Sequence, residues 1–272
     1  MMEMYFCSLF SGSSGNALFC QYGNTRLLVD AGKTGSKLQT AMIKMGIDPA
    51  TLSGILITHE HSDHILGAGV LARQYHLPVY ATQETWRVIT EGKKMGKLPG
   101  DLIRTVRSGE SFWLGEIGIE PFSIPHDAAD PVGYRMWGGN ISVSTATDLG
   151  HFTDEVYSRI AGSTLVLLES NHDPDLLRVN PHYNAVLKAR ILGKYGHLSN
   201  EACSEALLRL ISGGTRNVIL GHLSGENNTP VLARSVSEKA MEREGIRVGE
   251  DVRLDVASRD EPGEIFMLKE TE

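Results

Sequence analysis

Apolar positions fall into short runs divided by glycine-rich or polar stretches, and the runs alternate with segments of helical period. Tyr5 to Leu9, Asn16 to Gln21 and Thr25 to Asp30 read as three strands, the last two joined by a Gly23-Asn24 turn. Leu38, Ala41, Met42 and Met45 recur at helical spacing, and Gly46 is a helix stop. Ile55-Leu56-Ile57 reads as a strand, Ile65 to Ala72 as a helix, Pro78 to Ala81 as a parallel strand and Glu84 to Glu91 as a helix. From Ile103 to Val143 the pattern is β-rich, with candidate strands at Phe112-Trp113, Ile117 to Ile124, Tyr134 to Trp137 and Ile141 to Ser144. Alternation then resumes. Thr164 to Glu169 is an apolar strand, Tyr183 to Leu192 and Asn200 to Ile211 are helices, and Asn217 to Gly221 is a strand. Ser199 or Asn200 can cap the second of those helices. A helix from about Val231 to Glu244 and strands Val252 to Ala257 and Glu264 to Leu268 close the chain. No short repeat, low-complexity segment or linker interrupts the pattern. A single domain over residues 1–272, made of two β-then-α halves, fits best.

Polar chemistry gathers where strands end. Thr58-His59-Glu60-His61-Ser62-Asp63-His64 directly follows the strand at Ile55 to Ile57, placing four potential ligands on a tight strand-to-helix loop. His59 and His61, two apart in extended chain, can point the same way. Asp63 and His64 fall where the chain turns into a helix and can project towards a different point. Imidazoles with a carboxylate suit Zn, Mn or Fe. An incidental polar loop seldom has this density. Further strand ends carry Asp30, His126, Asp148, Glu169 and His222. Singly, such a residue is more often structural. His76, His151 and His182 lie in segments that read as surface.

Composition narrows the class. The 272 residues can bury a substantial core, and 29 glycines imply many tight turns. Cys7, Cys20 and Cys203 lie far apart and form no Cys-x-x-Cys pair, so they do not read as a thiolate metal site or a disulfide framework, and they point to a reducing interior. The N-terminus lacks a basic segment followed by a long apolar one, and no apolar run approaches the roughly 20 residues needed to span a membrane. The expectation is a cytoplasmic protein without a membrane partner. A net charge of −7 does not advertise nucleic-acid binding, although a local patch can supply positive potential. The segment Gly92-Lys93-Lys94-Met95-Gly96-Lys97-Leu98-Pro99-Gly100 is such a patch, read first as a solvated loop.

In chain order, Asp30, His59-x-His61-x-Asp63-His64, His126, Asp148 and His222 resemble the metallo-β-lactamase superfamily. The resemblance covers nearly the whole chain and implies an α/β (α+β) fold: a four-layer αββα sandwich with a two-metal site along one edge of the paired sheets. It assigns His59, His61 and His126 to one divalent ion, Asp63, His64 and His222 to the other, Asp148 to both, and Asp30 to a supporting position. Two ions about 3.5–4 Å apart can clamp a phosphate and activate a water. β-Lactamases proper usually lack the histidine present here as His64. Gly196-His197-Leu198-Ser199 looks like the Gly-His-Ser-Thr segment of ribonuclease Z, whose histidine acts near the leaving group. The string Ser11 to Asn16, Pro125 to Ala128, Glu169 to Asp173, Gly196 to Asn200 and His222 to Asn228 resembles the YycJ/WalJ-type subfamily, in the nucleic-acid-processing branch. Its members are regarded as 5′→3′ DNA exonucleases.

On this resemblance the expected activity is phosphodiester hydrolysis of nucleic acid, DNA before RNA. Asp63, Asp148 and His197 are the expected catalytic residues. Glu169 orients His197, and His172 is a supporting residue. Ser13, Ser14, Asn16, Asn227 and Asn228 are candidates for substrate contacts. Two readings compete. A thioester or lactone hydrolase of the glyoxalase II kind would use the same ligands. A regulatory or binding protein would keep the metal site as structure only.

Overall fold

The computed structural model describes residues 2–270; positions 1, 271 and 272 of the expected domain lie outside them. Strands β1 (Met4–Phe10), β2 (Ala17–Tyr22) and β3 (Thr25–Val29) open the chain, followed by α1 (Gly35–Lys44), β4 (Gly54–Leu56), α2 (Ser62–Ile65), α3 (Ala68–Tyr75), β5 (Val79–Thr82) and α4 (Gln83–Glu91). The β-rich middle comprises β6 (Ile103–Val106), β7 (Phe112–Leu114), β8 (Ile117–Ser123), β9 (Val132–Gly138) and β10 (Ile141–Ala146). Then come α5 (Asp154–Ile160), β11 (Leu165–Glu169), α6 (Pro174–Val179), α7 (Ala185–Ile191), α8 (Asn200–Ser212), β12 (Asn217–Gly221), α9 (Pro230–Arg243), β13 (Arg253–Val256) and β14 (Phe266–Leu268). The strands form two seven-stranded sheets, β14-β1-β2-β3-β4-β5-β6 and β13-β12-β11-β10-β9-β8-β7.

The described residues gather into two compact units, residues 2–122 with 128–141 and 258–270, and residues 123–127 with 142–257. In the first unit β14, β1, β2 and β3 pair antiparallel, whereas β3 to β6 pair parallel. Its core joins the inner residues of β1 to β5 with Leu38 and Met42 of α1, Leu71 of α3 and Trp86 of α4. The Gly23 turn has φ 57°, which glycine adopts without a Cβ penalty. Thr34 caps α1 by accepting from Lys37 N.

The expected helix at Ile65 to Ala72 is divided between α2 and α3. Gly67 N donates to Ala31 O at 2.8 Å instead of continuing the helical ladder, so the two turns separate there. A Cβ at Gly67 would also lie 2.3 Å from Lys33 O. The second unit pairs β10 to β13 parallel, in register Leu165↔Asn217 to Glu169↔Gly221 across β11 and β12. Every residue of β11 is buried, as a continuous apolar run in a parallel sheet implies. Ser199, rather than Asn200, supplies the side-chain cap of α8. Helices α5 and α6 are additions to the sequence-based pattern; Thr153 and Asp173 cap them, and α6 starts on Pro174. Among the described residues no helix is long and apolar enough to cross a membrane.

Candidate metal centre

In the first unit the motif sits where β4 gives way to α2. Asp30 follows β3 and adopts a left-handed backbone, φ 61°. Its Oδ1 accepts from Thr58 N at 2.9 Å. Its Oδ2 accepts from Thr58 Oγ1 at 2.9 Å and lies 2.8 Å from His64 Nδ1. A carboxylate can only accept, so His64 carries its proton on Nδ1 and offers the Nε2 lone pair. The Thr58 hydroxyl donates to Asp30, so its oxygen accepts from His59 Nδ1, 3.0 Å away, and leaves His59 Nε2 as the lone-pair atom. That atom lies 3.0 Å from His61 Nδ1. Thr58 was not among the sequence candidates. Its one signal is a hydroxyl residue at the end of an apolar strand.

Backbone contacts hold this loop. Val132 N and the Tyr134 hydroxyl donate to Thr58 O and Ile57 O, at 3.0 and 2.8 Å. Ala31 N donates to His64 O, and Asn16 N to Asp63 O. A Cβ at Gly32 would lie 1.6 Å from Asp63 O, so only glycine admits this approach. Glu60 and Ser62 take no place among the ring nitrogens: Glu60 Oε1 accepts from Ala129 N at 2.9 Å, and Ser62 is exposed. Ser13 and Ser14 are exposed, with Ser14 Oγ 2.8 Å from Lys33 Nζ. Asn16 is buried. Its Oδ1 accepts from Gly12 N at 2.9 Å, and its Nδ2 lies 3.1 Å from His64 Nε2. Its amide therefore serves the loop and His64.

In the second unit the donors again follow strands: His126 after β8, Asp148 after β10, Glu169 ending β11 and His222 after β12. Asp148 and His222 are left-handed, φ 61° and 54°. Asp148, Glu169, His197 and His222 form a group whose ligand-type atoms lie within 4.8 Å of one another. Glu169 is its centre. Oε1 lies 2.8 Å from His197 Nδ1 and 3.0 Å from His222 Nδ1. Oε2 accepts from Leu149 N at 2.6 Å and Leu198 N at 3.1 Å. Burial pushes the Glu169 carboxyl up, but the charges and hydrogen bonds of His197 and His222 overcome this and hold it below the ordinary carboxylate range. His126 Nδ1 faces Gly196 O at 3.2 Å, so it too presents Nε2. Its ring centroid lies 5.2 Å from that of His197.

Asn227 and Asn228, expected to meet substrate, are buried in an amide network. Asn180 Nδ2 donates to Asn227 Oδ1 at 2.7 Å, and Asn228 Nδ2 donates to Ser170 O, Asn171 O and Asn200 Oδ1. They tie the segment after His222 to those after β11. Asn171 Nδ2 donates to His222 O at 2.9 Å and joins that network to the metal-ligand candidate. Pairing of this kind is tertiary and has no local sequence signal. Among the other candidates, Cys7, Cys20 and Cys203 are buried free thiols, their pKa values pushed by burial to about 11, 12 and 12. His76, His151 and His182 are exposed.

His172 is buried, with Nδ1 3.3 Å from Asn171 Oδ1 and no partner for Nε2 among the described residues. Burial lowers its pKa from 6.5 to about 4. The unfolded chain then binds the extra proton between those values. The contribution to stability is whole above pH 6.5 and is lost as pH falls towards 4. A His172→Gln variant is expected to flatten the decline of the urea midpoint across this window. A decline as steep as the parent's would assign the acid sensitivity elsewhere.

The donor chemistry fits divalent cations. His59, His64, His126 and His222 each have Nδ1 engaged by an oxygen and Nε2 left as the lone-pair atom, the arrangement that orients metal-ligating histidines. The carboxylates and imidazoles together suit Zn, Mn or Fe.

Strand-end histidines oriented by buried carboxylates, on two mixed sheets flanked by helices, define a metallohydrolase scaffold. The chain belongs to the metallo-β-lactamase superfamily: the family model for the β-lactamase superfamily domain matches residues 25–223. It is 39% identical over 246 residues to exodeoxyribonuclease WalJ of Streptococcus pneumoniae, covering 90% of this chain and 91% of that protein. It is also 39% identical over 249 residues to exodeoxyribonuclease YycJ of Bacillus anthracis, covering 92% and 93%. The crystal structure of the metallo-β-lactamase fold protein YhfI from Bacillus subtilis matches with a TM-score of 0.71 at 15% identity, covering 96% of this chain and 99% of that one. The α/β metallo-β-lactamase fold implied by the motif order is therefore the fold of this chain.

Proposed function

We propose that this protein is a metal-dependent nuclease, a 5′→3′ DNA exonuclease of the cytoplasm, acting as one domain. The observation that carries the reading is His197. Its Nδ1 is fixed by the buried Glu169, its side chain is 19% exposed, and it stands in one group with Asp148, Glu169 and His222. Two relatives similar over nine-tenths of the chain are named exodeoxyribonucleases.

In this reading His59, His61 and His126 would hold one ion, Asp63, His64 and His222 would hold a second, and Asp148 would serve both. Bound divalent ions supply Lewis-acid charge for the scissile phosphate and a water that is nucleophilic near neutral pH. The chain's own residues do the rest. Asp30, Thr58 and Glu169 set the tautomers of the ligand histidines. His197, held by Nδ1, presents Nε2 to the departing oxygen and gives it a proton. Ser13 and Ser14, exposed on the first loop, contact substrate phosphate. Asn16, Asn227 and Asn228 support the loops that flank it.

The test is degradation of 5′- and 3′-labelled single- and double-stranded DNA and RNA by protein loaded with Zn, Mn or Fe. Mononucleotides released from the 5′ end of DNA, abolished by chelator and restored by metal, are expected. Turnover of a thioester panel without phosphodiester cleavage would replace this reading with the glyoxalase II one.

A further inference from the structure

The basic loop from Gly92 to Gly100 takes no part in the donor groups, yet it closes over a cavity of about 360 Å³. Trp86 and Ile89 of α4 and Met95 and Leu98 of the loop form its apolar wall. Lys93 and Lys97 also line it, both exposed to solvent. Among the described residues no carboxylate lines it. The volume lies at the small end of the range for small-ligand pockets, about 300–1,000 Å³, and admits a single nucleobase. Trp86 Nε1 donates to Arg104 O at 2.8 Å, which fixes the indole in the wall.

This cavity is built onto the metal motif. Lys94 Nζ donates to Glu60 O at 3.0 Å, between His59 and His61. Arg73 Nη1 of α3 donates to Met95 O at 2.7 Å. A Cβ at Gly69, also on α3, would lie 2.1 Å from that same carbonyl, so glycine permits the approach. A ligand seated in the cavity is therefore referenced to the backbone that carries the ligand histidines. Lys93 has φ 51°, a conformation that favours glycine. That conformation ends α4, with Lys93 N donating to Thr90 O at 3.2 Å and Lys94 N to Ile89 O at 3.1 Å, and it sets the course of the loop into the cavity wall.

An uncharged apolar interior with ammonium groups outside matches a flat base flanked by phosphates. We propose that the cavity binds one unpaired base of the substrate strand, with Lys93 and Lys97 on the adjoining phosphates. This rests on the nuclease reading and specifies the substrate form: a single-stranded segment, not an intact duplex.

The experiment uses the metal-loaded full chain and a fluorescent phosphorothioate-linked oligothymidylate, which resists cleavage, with binding followed by anisotropy. Lys93→Gly combined with Lys97→Gln keeps the left-handed backbone and removes both charges. It is expected to weaken strand binding roughly ten-fold and to lower the slope of log affinity against log salt by about 1.4, as loss of two phosphate contacts to a single strand implies. Leu98→Glu, at a half-buried wall position, is expected to weaken it comparably. An abasic strand of equal length should bind the parent more weakly than the base-bearing strand. Hydrolysis of bis(4-nitrophenyl) phosphate should be unchanged in both variants. Unchanged strand affinity in both variants, equal affinity for the abasic strand, or no strand binding by the parent would each overturn the proposal. If the parent cleaves no phosphodiester, the nuclease reading fails by itself, and the binding comparison still decides the cavity. If the parent cleaves and the variants bind as it does, the cavity inference fails alone.

Discussion

Replacing His197 by alanine is expected to lower the rate of DNA hydrolysis by about 10²–10⁴-fold, the usual worth of a positioned general acid, while leaving bound metal per chain unchanged. The expectation follows from how the ring is held. Nδ1 lies 2.8 Å from Glu169 Oε1, which fixes that nitrogen as the donor and turns Nε2 outward. His197 N donates to Ile191 O at 3.0 Å, so its backbone is anchored through the turn before α8. The side chain is 19% exposed, whereas the side chains of His126 and His222 are each 1% exposed. It is thus the histidine of this group with room to meet a substrate. The measurement is a single-turnover rate beside metal analysis of the same preparation. A variant with full turnover would remove His197 from the reaction. One that lost metal in proportion to rate would make it a ligand instead.

Glu169→Ala is expected to cost more, because it strikes both the chemistry and the fold. One buried carboxylate accepts from two imidazoles and two backbone amides. Removing one partner of a buried charged cluster typically destabilises by about 3–5 kcal/mol, which a urea midpoint would register. Glu169→Gln keeps the shape but turns an amide NH₂ towards two of those donors. It separates shape from charge and is expected to lose activity at least as far as His197→Ala, because His222 is loosened with His197. In a double-mutant cycle, His197→Ala should then cost much less in the Glu169→Gln background than in the parent, since both changes act through one hydrogen bond. Additive losses would mean that Glu169 does not work through His197.

The residues that could be read in advance share one property: their identity and their position just after an apolar run are both local. That is why Asp30, the motif at His59 to His64, His126, Asp148 and His222 stand out of the sequence, and why the main strands do. Glu169 was legible as a partner of His197, but its grip on His222 was not, because the two are 53 residues apart and meet only when β11 and β12 pair in parallel. The amide network at 227 and 228 was hidden for the same reason. Asn reads alike whether its partners are substrate or Asn200 and Ser170. The division between α2 and α3 escaped because one tertiary hydrogen bond, Gly67 N to Ala31 O, outcompetes a local helical one.

Asp30, Asp148 and His222 share a left-handed backbone that glycine would occupy more easily, each carrying a strain of order 1–3 kcal/mol. An effort to raise the melting temperature guided by backbone geometry would nominate glycine at all three positions and would delete a carboxylate or an imidazole each time. Robustness and chemistry are in direct competition at the same three dihedral angles, so thermostable forms of this enzyme have to be sought elsewhere in the chain.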